Sequence, residues 1–155
     1  MMPQEIAALL TETFGPKVLE SKPDAINPWS AVDPSSILEV CRFAASESRL
    51  RFDHLELLGG ADYKDRIEVV YVLYSMSLRH RYTLKCRLPR EAPKLASVES
   101  VWRVANWHER EAFDMYGILF EGHSDLRRIL CPDDWEGYPL RKDYKFPTRY
   151  RDMPV

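Results

Sequence analysis

Four charged residues in the second half of the chain are the ones best suited to chemistry: Glu109, Arg110, Glu111 and Asp114. A carboxylate in a cleft can act as a general acid or base, and the planar guanidinium of an arginine can hold a carboxylate or a phosphate. The surrounding residues have helical periodicity, which places Arg110 and Asp114 one turn apart. We therefore expect an ion pair between these two side chains.

Among these residues, Glu109 is the carboxylate that is predicted to lie on an apolar face. Its helical position projects it among Ala105, Ala112 and Phe113, on the apolar side of the predicted helix. An unpaired buried charge is very costly, so Glu109 must be capping, paired or protonated. The interpretation we favour is that Glu109 forms a capping box with Asn106, which would be the N-cap residue, and meets an arginine from the C-terminal segment.

His123 follows an apolar run in a segment that has lost its periodicity. A turn histidine that bonds to the backbone is the default expectation, and a proton relay is the alternative. The only catalytic hypothesis that these residues suggest is a small stand-alone enzyme that uses Glu109 and His123. That hypothesis requires a cleft in which both side chains meet a substrate.

The sequence gives little support for a metal or nucleotide site. The candidate ligands lack the compact spacing of a known metal motif: His108, Glu109, Glu111, His123 and Cys131. The chain has 3 cysteines and no C-x-x-C pair, which argues against an iron–sulfur cluster and a disulfide framework. No glycine-rich phosphate loop occurs. We expect this chain to bind no metal, nucleotide or flavin.

The C-terminal segment, residues 131–155, has the composition of a binding arm. It contains four prolines and five aromatic residues, which is unlike a disordered tail. Directly before it, Arg127 and Arg128 present two guanidinium groups that suit a carboxylate or a backbone clamp. We predict an extended partner-binding arm over residues 131–155. The alternative is that this segment folds back on its own sheet.

Bulk properties indicate one ordinary globular domain. The chain has 155 residues, 45% of them hydrophobic, and a formal net charge of −2. Residues 1–78 carry 7 basic and 12 acidic side chains, whereas residues 79–155 carry 15 and 12. The basic excess of the second half is a mild indication of an acidic partner. The longest apolar run, Val69 to Tyr74, is too short to cross a bilayer, and no secretory signal is evident.

Hydrophobic periodicity predicts the elements that position these residues. Helices are expected up to Gly15 and from Asp33-Pro34 to about Glu47. Short strands are expected at 18–20 and 30–32, and longer ones at 52–58, 67–74 and 82–88, the last two as an antiparallel hairpin. Gly59-Gly60 is a candidate bulge. A short helix at 98–103 and a second from Asn106 to Tyr116, closed by Gly117, complete the pattern.

This order predicts an α+β fold: a small antiparallel sheet covered on one face by helices, with an extended C-terminal arm. The expected division is a core domain of residues 1–130 and the arm of residues 131–155.

The motif around Glu109 resembles the signature of the 30 kDa subunit family of respiratory complex I, NADH:quinone oxidoreductase, whose bacterial members are known as the C subunit. The resemblance is specific from about Val98 to Tyr144. Its positions, in order, are Trp102, Trp107, Glu109-Arg110-Glu111, Asp114-Met115-Tyr116-Gly117-Ile118, His123, Asp125-Leu126-Arg127-Arg128-Ile129-Leu130 and Pro139-Leu140-Arg141-Lys142-Asp143-Tyr144.

The resemblance implies a non-catalytic member of the peripheral arm of a proton-translocating enzyme. In that complex electrons pass from NADH through FMN and iron–sulfur clusters to quinone, and other subunits bind all of these cofactors. The implied partners are the 49 kDa (D) subunit and the B subunit, which carries the last iron–sulfur cluster, together with other hydrophilic subunits. The implied location is the cytoplasmic side of the cell inner membrane, as a peripheral protein. Alone, the chain is expected to be inactive.

The resemblance also assigns roles to individual residues. Seven motif residues would hold the geometry of helix, loop and arm: Glu109, Arg110, Glu111, Asp114, His123, Arg127 and Arg128. Four would mark the part of the arm that grips the partner: Arg141, Lys142, Asp143 and Tyr144. Many relatives have proline where Ser124 stands, and the chain stops soon after Tyr144, so contacts of a longer tail are expected to be absent. Related membrane-bound hydrogenases and F420H2 or ferredoxin:quinone complexes contain an equivalent subunit and are the alternative identity.

Overall fold

The computed structural model describes residues 1–154. Val155, the last residue of the predicted arm, lies outside the described residues. The helices are α1 (Pro3–Phe14), α2 (Ile37–Ser46) and α3 (Ala105–Tyr116), with single 3-10 turns at Gly15–Lys17 and Pro34–Ser36. The strands are β1 (Val18–Lys22), β2 (Trp29–Val32), β3 (His54–Asp62), β4 (Arg66–Ser75), β5 (His80–Pro89), β6 (Lys94–Ala96), β7 (Leu119–Glu121), β8 (Arg149–Tyr150) and β9 (Met153–Pro154).

Five strands form the main sheet, in the order β1-β2-β5-β4-β3. The predicted hairpin is present, with Tyr74 opposite Arg81. Three of the four strand pairs of this sheet are antiparallel, as expected, whereas β2 pairs with β5 in parallel and Ser30 lies opposite Leu84. A parallel neighbour requires a long crossover, and the chain makes it through α2, β3 and β4. The α+β class is confirmed, with a mixed sheet.

The core lies between one face of this sheet and the helices. The stripe predicted on α2 is buried, with Ile37, Val40 and Cys41 at 0% exposure. On β4, Ile67, Val69, Tyr71 and Leu73 are buried in the same cluster, as alternation along a strand requires. Each buried side chain of this size stabilises the fold by about 1.5–3 kcal/mol. The layer therefore forms a rigid base for α3.

Gly60 sets the distance between α3 and the sheet. The predicted bulge at Gly59-Gly60 was wrong, because both residues continue the regular register with β4, and the irregularity lies between Leu55 and Leu57. A Cβ added at Gly60 would lie 2.5 Å from Cδ2 of Tyr116. The glycine therefore permits the Tyr116 ring to rest directly on the strand.

The start of α3 also differs from the prediction. The short helix predicted at 98–103 was wrong: residues before Ala105 form hydrogen-bonded turns, in which the amides of Val101 and Trp102 donate to the carbonyl of Val98. The second predicted helix is present as α3. Asn106 is inside the helix rather than at its cap. The predicted end was correct, because Gly117 adopts the left-handed conformation with φ of 73°. Within residues 1–154, no helix has the length and apolar character that a membrane span requires.

Candidate functional site

Asp114 organises the loop that leads into the C-terminal arm. Its side chain is fully buried on α3, and Oδ2 accepts hydrogen bonds from the backbone amides of Ile129 (3.0 Å), Leu130 (2.7 Å) and Cys131 (2.8 Å). Burial alone would raise its pKa, but these amides and the Arg128 guanidinium outweigh burial, so the pKa of Asp114 lies below its usual value. The carboxylate therefore fixes three consecutive residues of the loop to the helix.

Arg128 joins the helix to the arm. Its Nη1 donates to Oδ1 of Asp114 at 2.6 Å, and its Nη2 donates to the carbonyls of Trp135 (2.8 Å) and Gly137 (3.0 Å). The guanidinium also lies 5.5 Å from the ring centroid of Tyr138. This five-donor group acts as a clamp on the backbone of the arm. Neighbouring Arg127 points away and pairs with Asp125 at the surface.

Arg110 does not pair with Asp114, so the predicted ion pair within α3 was wrong. Arg110 is 5% exposed, and its guanidinium donates to the carbonyls of Arg127 and Arg128, both at 3.2 Å. The same group stacks 5.1 Å from the ring centroid of Trp107. Loop carbonyls are better partners here because Asp114 is already saturated by other donors.

Glu109 contacts the segment that precedes α3. Parallel pairing of β6 with β7 brings Ser97 beside the helix. There the Ser97 hydroxyl donates to Oε2 of Glu109 at 2.6 Å, and the amide of Val98 donates to Oε1 at 2.7 Å. Neither the capping box with Asn106 nor the expected arginine partner is present in residues 1–154. Asn106 instead donates to Glu99 at 2.8 Å.

Burial raises the pKa of Glu109 to about 7, although Ser97 and Val98 both favour its ionised form. The Nε2 atom of His123 lies 3.9 Å from the carboxylate. This Nε2 faces the carbonyl of Asn106 at 3.1 Å, and Nδ1 accepts from the amide of Asp125 at 2.9 Å. Because Nδ1 accepts a hydrogen bond, the proton of the ring lies on Nε2. His123 lowers the pKa of Glu109, but by less than burial raises it. The expectation of a turn histidine bonded to the backbone agrees with this geometry.

The base of the C-terminal arm, residues 137–144, is docked on the body. The amide of Leu140 donates to the carbonyl of Met115 (3.1 Å), and Arg141 Nε donates to the carbonyl of Tyr116 (2.7 Å). The amide of Lys142 donates to Oδ2 of Asp62 at 2.7 Å. The arm therefore folds back here, as the alternative interpretation expected.

Asp62 is a residue that sequence reasoning missed. It ends β3, is 8% exposed, and forms an ion pair with Arg90, which in turn contacts Asp143 at 2.8 Å. Its partner Lys142 is 80 positions away in the chain. No spacing in the sequence could have indicated this contact.

Beyond the base, the side chains of residues 145–154 form hydrogen bonds and ion pairs only within the arm. Tyr144 packs edge-on against Phe146, and its hydroxyl donates to the carbonyl of Glu136. Tyr150 and Arg151 both bond to Asp134. Within the described part of the chain, no hydrogen bond or ion pair joins residues 145–154 to residues 1–130. We call these residues the free end of the arm.

The motif residues do not assemble a catalytic pocket or a metal centre. Glu109 and the side chain of His123 are both 0% exposed, so neither reaches solvent. Glu111 lies on the surface without a hydrogen-bond or ion-pair partner among residues 1–154. No group of three or more histidine, cysteine or acidic residues converges within that range. The arrangement positions the backbone of the loop and the arm.

Comparison with known sequences identifies the family. A family model described as respiratory-chain NADH dehydrogenase, 30 Kd subunit, matches residues 30–150. The C subunit of NADH-quinone oxidoreductase from Chloroherpeton thalassium is 44% identical over 99% of this chain and 65% of that protein. The C subunit from Chlorobium phaeobacteroides is 42% identical over 98% of this chain and 95% of that protein. The chain thus spans just under two thirds of the first relative and nearly all of the second.

Solved structures agree with this assignment. The chain is similar to a chain of the membrane-bound sulfane sulfur reductase, an archaeal respiratory membrane complex, with 26% identity, a TM-score of 0.77 and coverage of 92% of this chain and 85% of that one. It is also similar to the trypsin-resistant fragment (1–134) of Nqo5, with 27% identity, a TM-score of 0.66 and coverage of 81% and 100%. The chain therefore belongs to the family of the 30 kDa subunit of respiratory-chain NADH dehydrogenase, which is the family of the C subunit of NADH-quinone oxidoreductase.

Proposed function

We propose that this chain is a non-catalytic positioning subunit of the peripheral arm of a proton-translocating NADH:quinone oxidoreductase. The proposal rests on the hydrogen bonds that the charged motif residues form with the backbone. Asp114, Arg110 and Arg128 form hydrogen bonds with the backbone of the loop and of the C-terminal arm. Groups that are saturated in this way fix geometry, and they leave no free acid or base for a substrate.

The free end of the arm is the proposed contact with the neighbouring subunits, for which the 49 kDa (D) subunit and the B subunit are our candidates. We propose residues 1–130 as the core domain and residues 131–155 as the arm, with 137–144 as its docked base. The solved Nqo5 fragment supports a compact body that is shorter than the whole chain, because that trypsin-resistant piece matches 81% of this chain. The free end exposes Phe146, Arg149 and Arg151, and aromatic and arginine side chains are types that anchor protein interfaces.

The redox chemistry is proposed to belong to other subunits. FMN, the iron–sulfur clusters and quinone would be bound outside this chain, which would be inactive alone and peripheral on the cytoplasmic side of the inner membrane. A stand-alone enzyme using Glu109 and His123 is disfavoured by the burial of both side chains. The equivalent role in a related hydrogenase or F420H2 complex is less favoured, because the two NADH-quinone oxidoreductase relatives are more similar than the sulfane sulfur reductase chain.

Truncation after Tyr144 tests the proposal. The shortened chain keeps every hydrogen bond that ties the arm to the core, so we expect a folded protein with an unchanged unfolding midpoint. Its co-purification with the other subunits should be lost. The matched control is a full-length chain in which the sequence of residues 145–155 is scrambled, which preserves length and composition.

Two results would contradict the proposal. One is assembly of the truncated chain at the wild-type yield. The other is NADH oxidation by the purified wild-type chain alone, which would restore the enzymatic interpretation.

A further inference from the structure

A surface groove between α2 and the start of α3 is separate from the arm. It has a volume of about 680 Å³ and is lined by Arg42 and Leu38 of α2, by Arg103 of the connecting turn and by Trp107 of α3. Glu99 and Glu121 also border it. We call this feature the α2–α3 groove.

Two of the charged groups in the α2–α3 groove are unpaired guanidinium groups. Arg42 and Arg103 are exposed, and neither has a hydrogen-bond or ion-pair partner among residues 1–154. The carboxylate of Glu99 keeps its negative charge, but its oxygens are engaged by the amide and hydroxyl of Ser124 and by the amide of Asn106. Glu121 pairs with Lys94 at 3.4 Å. An incoming group therefore meets two unpaired guanidinium groups.

Trp107 adds an apolar wall to the α2–α3 groove. It is 60% exposed, which is unusual for so large a ring, and Arg110 stacks against it at 5.1 Å. Arg110 is itself tied to the loop backbone, so this stacking holds the ring in place. Tryptophan and arginine together are the residue types that dominate binding energy at protein interfaces.

We propose that the α2–α3 groove docks a carboxylate-bearing segment of another subunit of the assembly, a proposal that rests on the proposed function. The planar forks of Arg42 and Arg103 match a carboxylate in two parallel hydrogen bonds. The segment would also cover Trp107 with an apolar side chain. A small phosphate ligand would leave that ring exposed, which is why we favour a peptide. The contact would hold the chain at a second point, away from the free end of the arm.

A zero-length cross-link tests the chemistry of the occupant. The R103K substitution keeps the positive charge and introduces an amine, which a carbodiimide joins only to a carboxylate in direct contact. In the assembled complex we expect an intermolecular cross-link from position 103 to an aspartate or glutamate of another subunit. The wild-type chain, which lacks an amine in the groove, is the control. If the R103K chain assembles, cross-links confined to Glu99 or Glu121 of the same chain, or none, would overturn the proposal; if it does not assemble, the fork of Arg103 is itself needed for the contact, as proposed.

Charge reversal tests the same proposal independently. We expect R42E/R103E to lower co-purification with the other subunits by about tenfold or more, because each reversed charge would repel the incoming carboxylate. The matched control is K64E/R79E, which makes the same change in net charge at two exposed hairpin positions outside the groove. Circular dichroism establishes that both variants fold.

The outcomes separate the two proposals. If the wild-type chain does not co-purify with other subunits, the proposed function fails. If the wild-type and control chains assemble and R42E/R103E does so equally well, the α2–α3 groove is not a docking site.

Discussion

Replacing Glu109 by glutamine should make the chain more stable at alkaline pH. Glu109 is fully buried, and its pKa of about 7 compares with 4.5 for the unperturbed side chain. Between pH 4.5 and about pH 7, Glu109 keeps its proton in the folded chain but has released it in the unfolded chain. The contribution of Glu109 to stability is therefore greatest below pH 4.5, falls as the pH rises through this window, and is constant above about pH 7.

The size of the effect follows from the same two pKa values. A tenfold change in proton affinity is worth about 1.4 kcal/mol, so ionisation of Glu109 costs the fold about 3 kcal/mol at pH 8. A glutamine retains the contacts, because its carbonyl can accept from Val98 and its amide can donate to the Ser97 hydroxyl. We expect E109Q to match the wild type at pH 4.5 and to exceed it by up to about 3 kcal/mol at pH 8.

Urea unfolding followed by tryptophan fluorescence at pH 4.5, 6 and 8 measures this difference. Groups that titrate in both proteins, such as His80, contribute equally to the pH dependence of both, so they do not affect the difference between them. The control is E47Q: hydrogen bonds from Arg49 lower the pKa of Glu47 to about 2, so this substitution should leave the slope between pH 5 and 8 unchanged. The reasoning is refuted if E109Q shows the wild-type slope, or if it is less stable than the wild type at pH 8.

Three further substitutions probe the packing and the arm. We expect G60A to lower the free energy of unfolding in urea by about 1–3 kcal/mol, because its Cβ meets the Tyr116 ring. The control is G59A, whose Cβ meets only a Leu57 methyl at 3.8 Å. An equal loss of stability in both variants would contradict this prediction. D114N should cost about 3 kcal/mol because it leaves the Arg128 clamp without its counter-charge. The wild type should lose that stability as the pH falls toward the lowered pKa of Asp114, and D114N should not; an acid unfolding curve decides this. D62N should speed tryptic cleavage after Arg141 by releasing the docked base, and an unchanged digestion rate would show that Asp62 does not hold it.

Local features were predictable from the sequence wherever the physics is local. The stripe of α2 has helical spacing because only that spacing buries one side of a helix, and the structure buries it as predicted. The β4–β5 hairpin was visible in its β-branched and aromatic residues. Gly117 was expected in the left-handed region because few other residues tolerate that conformation. The motif from Glu109 to Leu130 was sufficient to indicate the family, which the comparisons confirm.

The partners of the charged residues were decided only by the tertiary structure. Arg110 and Asp114 have ideal spacing for a helical pair, yet each binds the loop that follows β7, because a buried charge needs several hydrogen bonds that one neighbour cannot supply. Glu109 was predicted to be buried, but its contact with Ser97 depends on the pairing of β6 with β7. Residue types and local periodicity specify which groups must be buried or satisfied. The identity of the group that satisfies them depends on segments far apart in the chain, and these meet only when the sheet, helix and arm pack together.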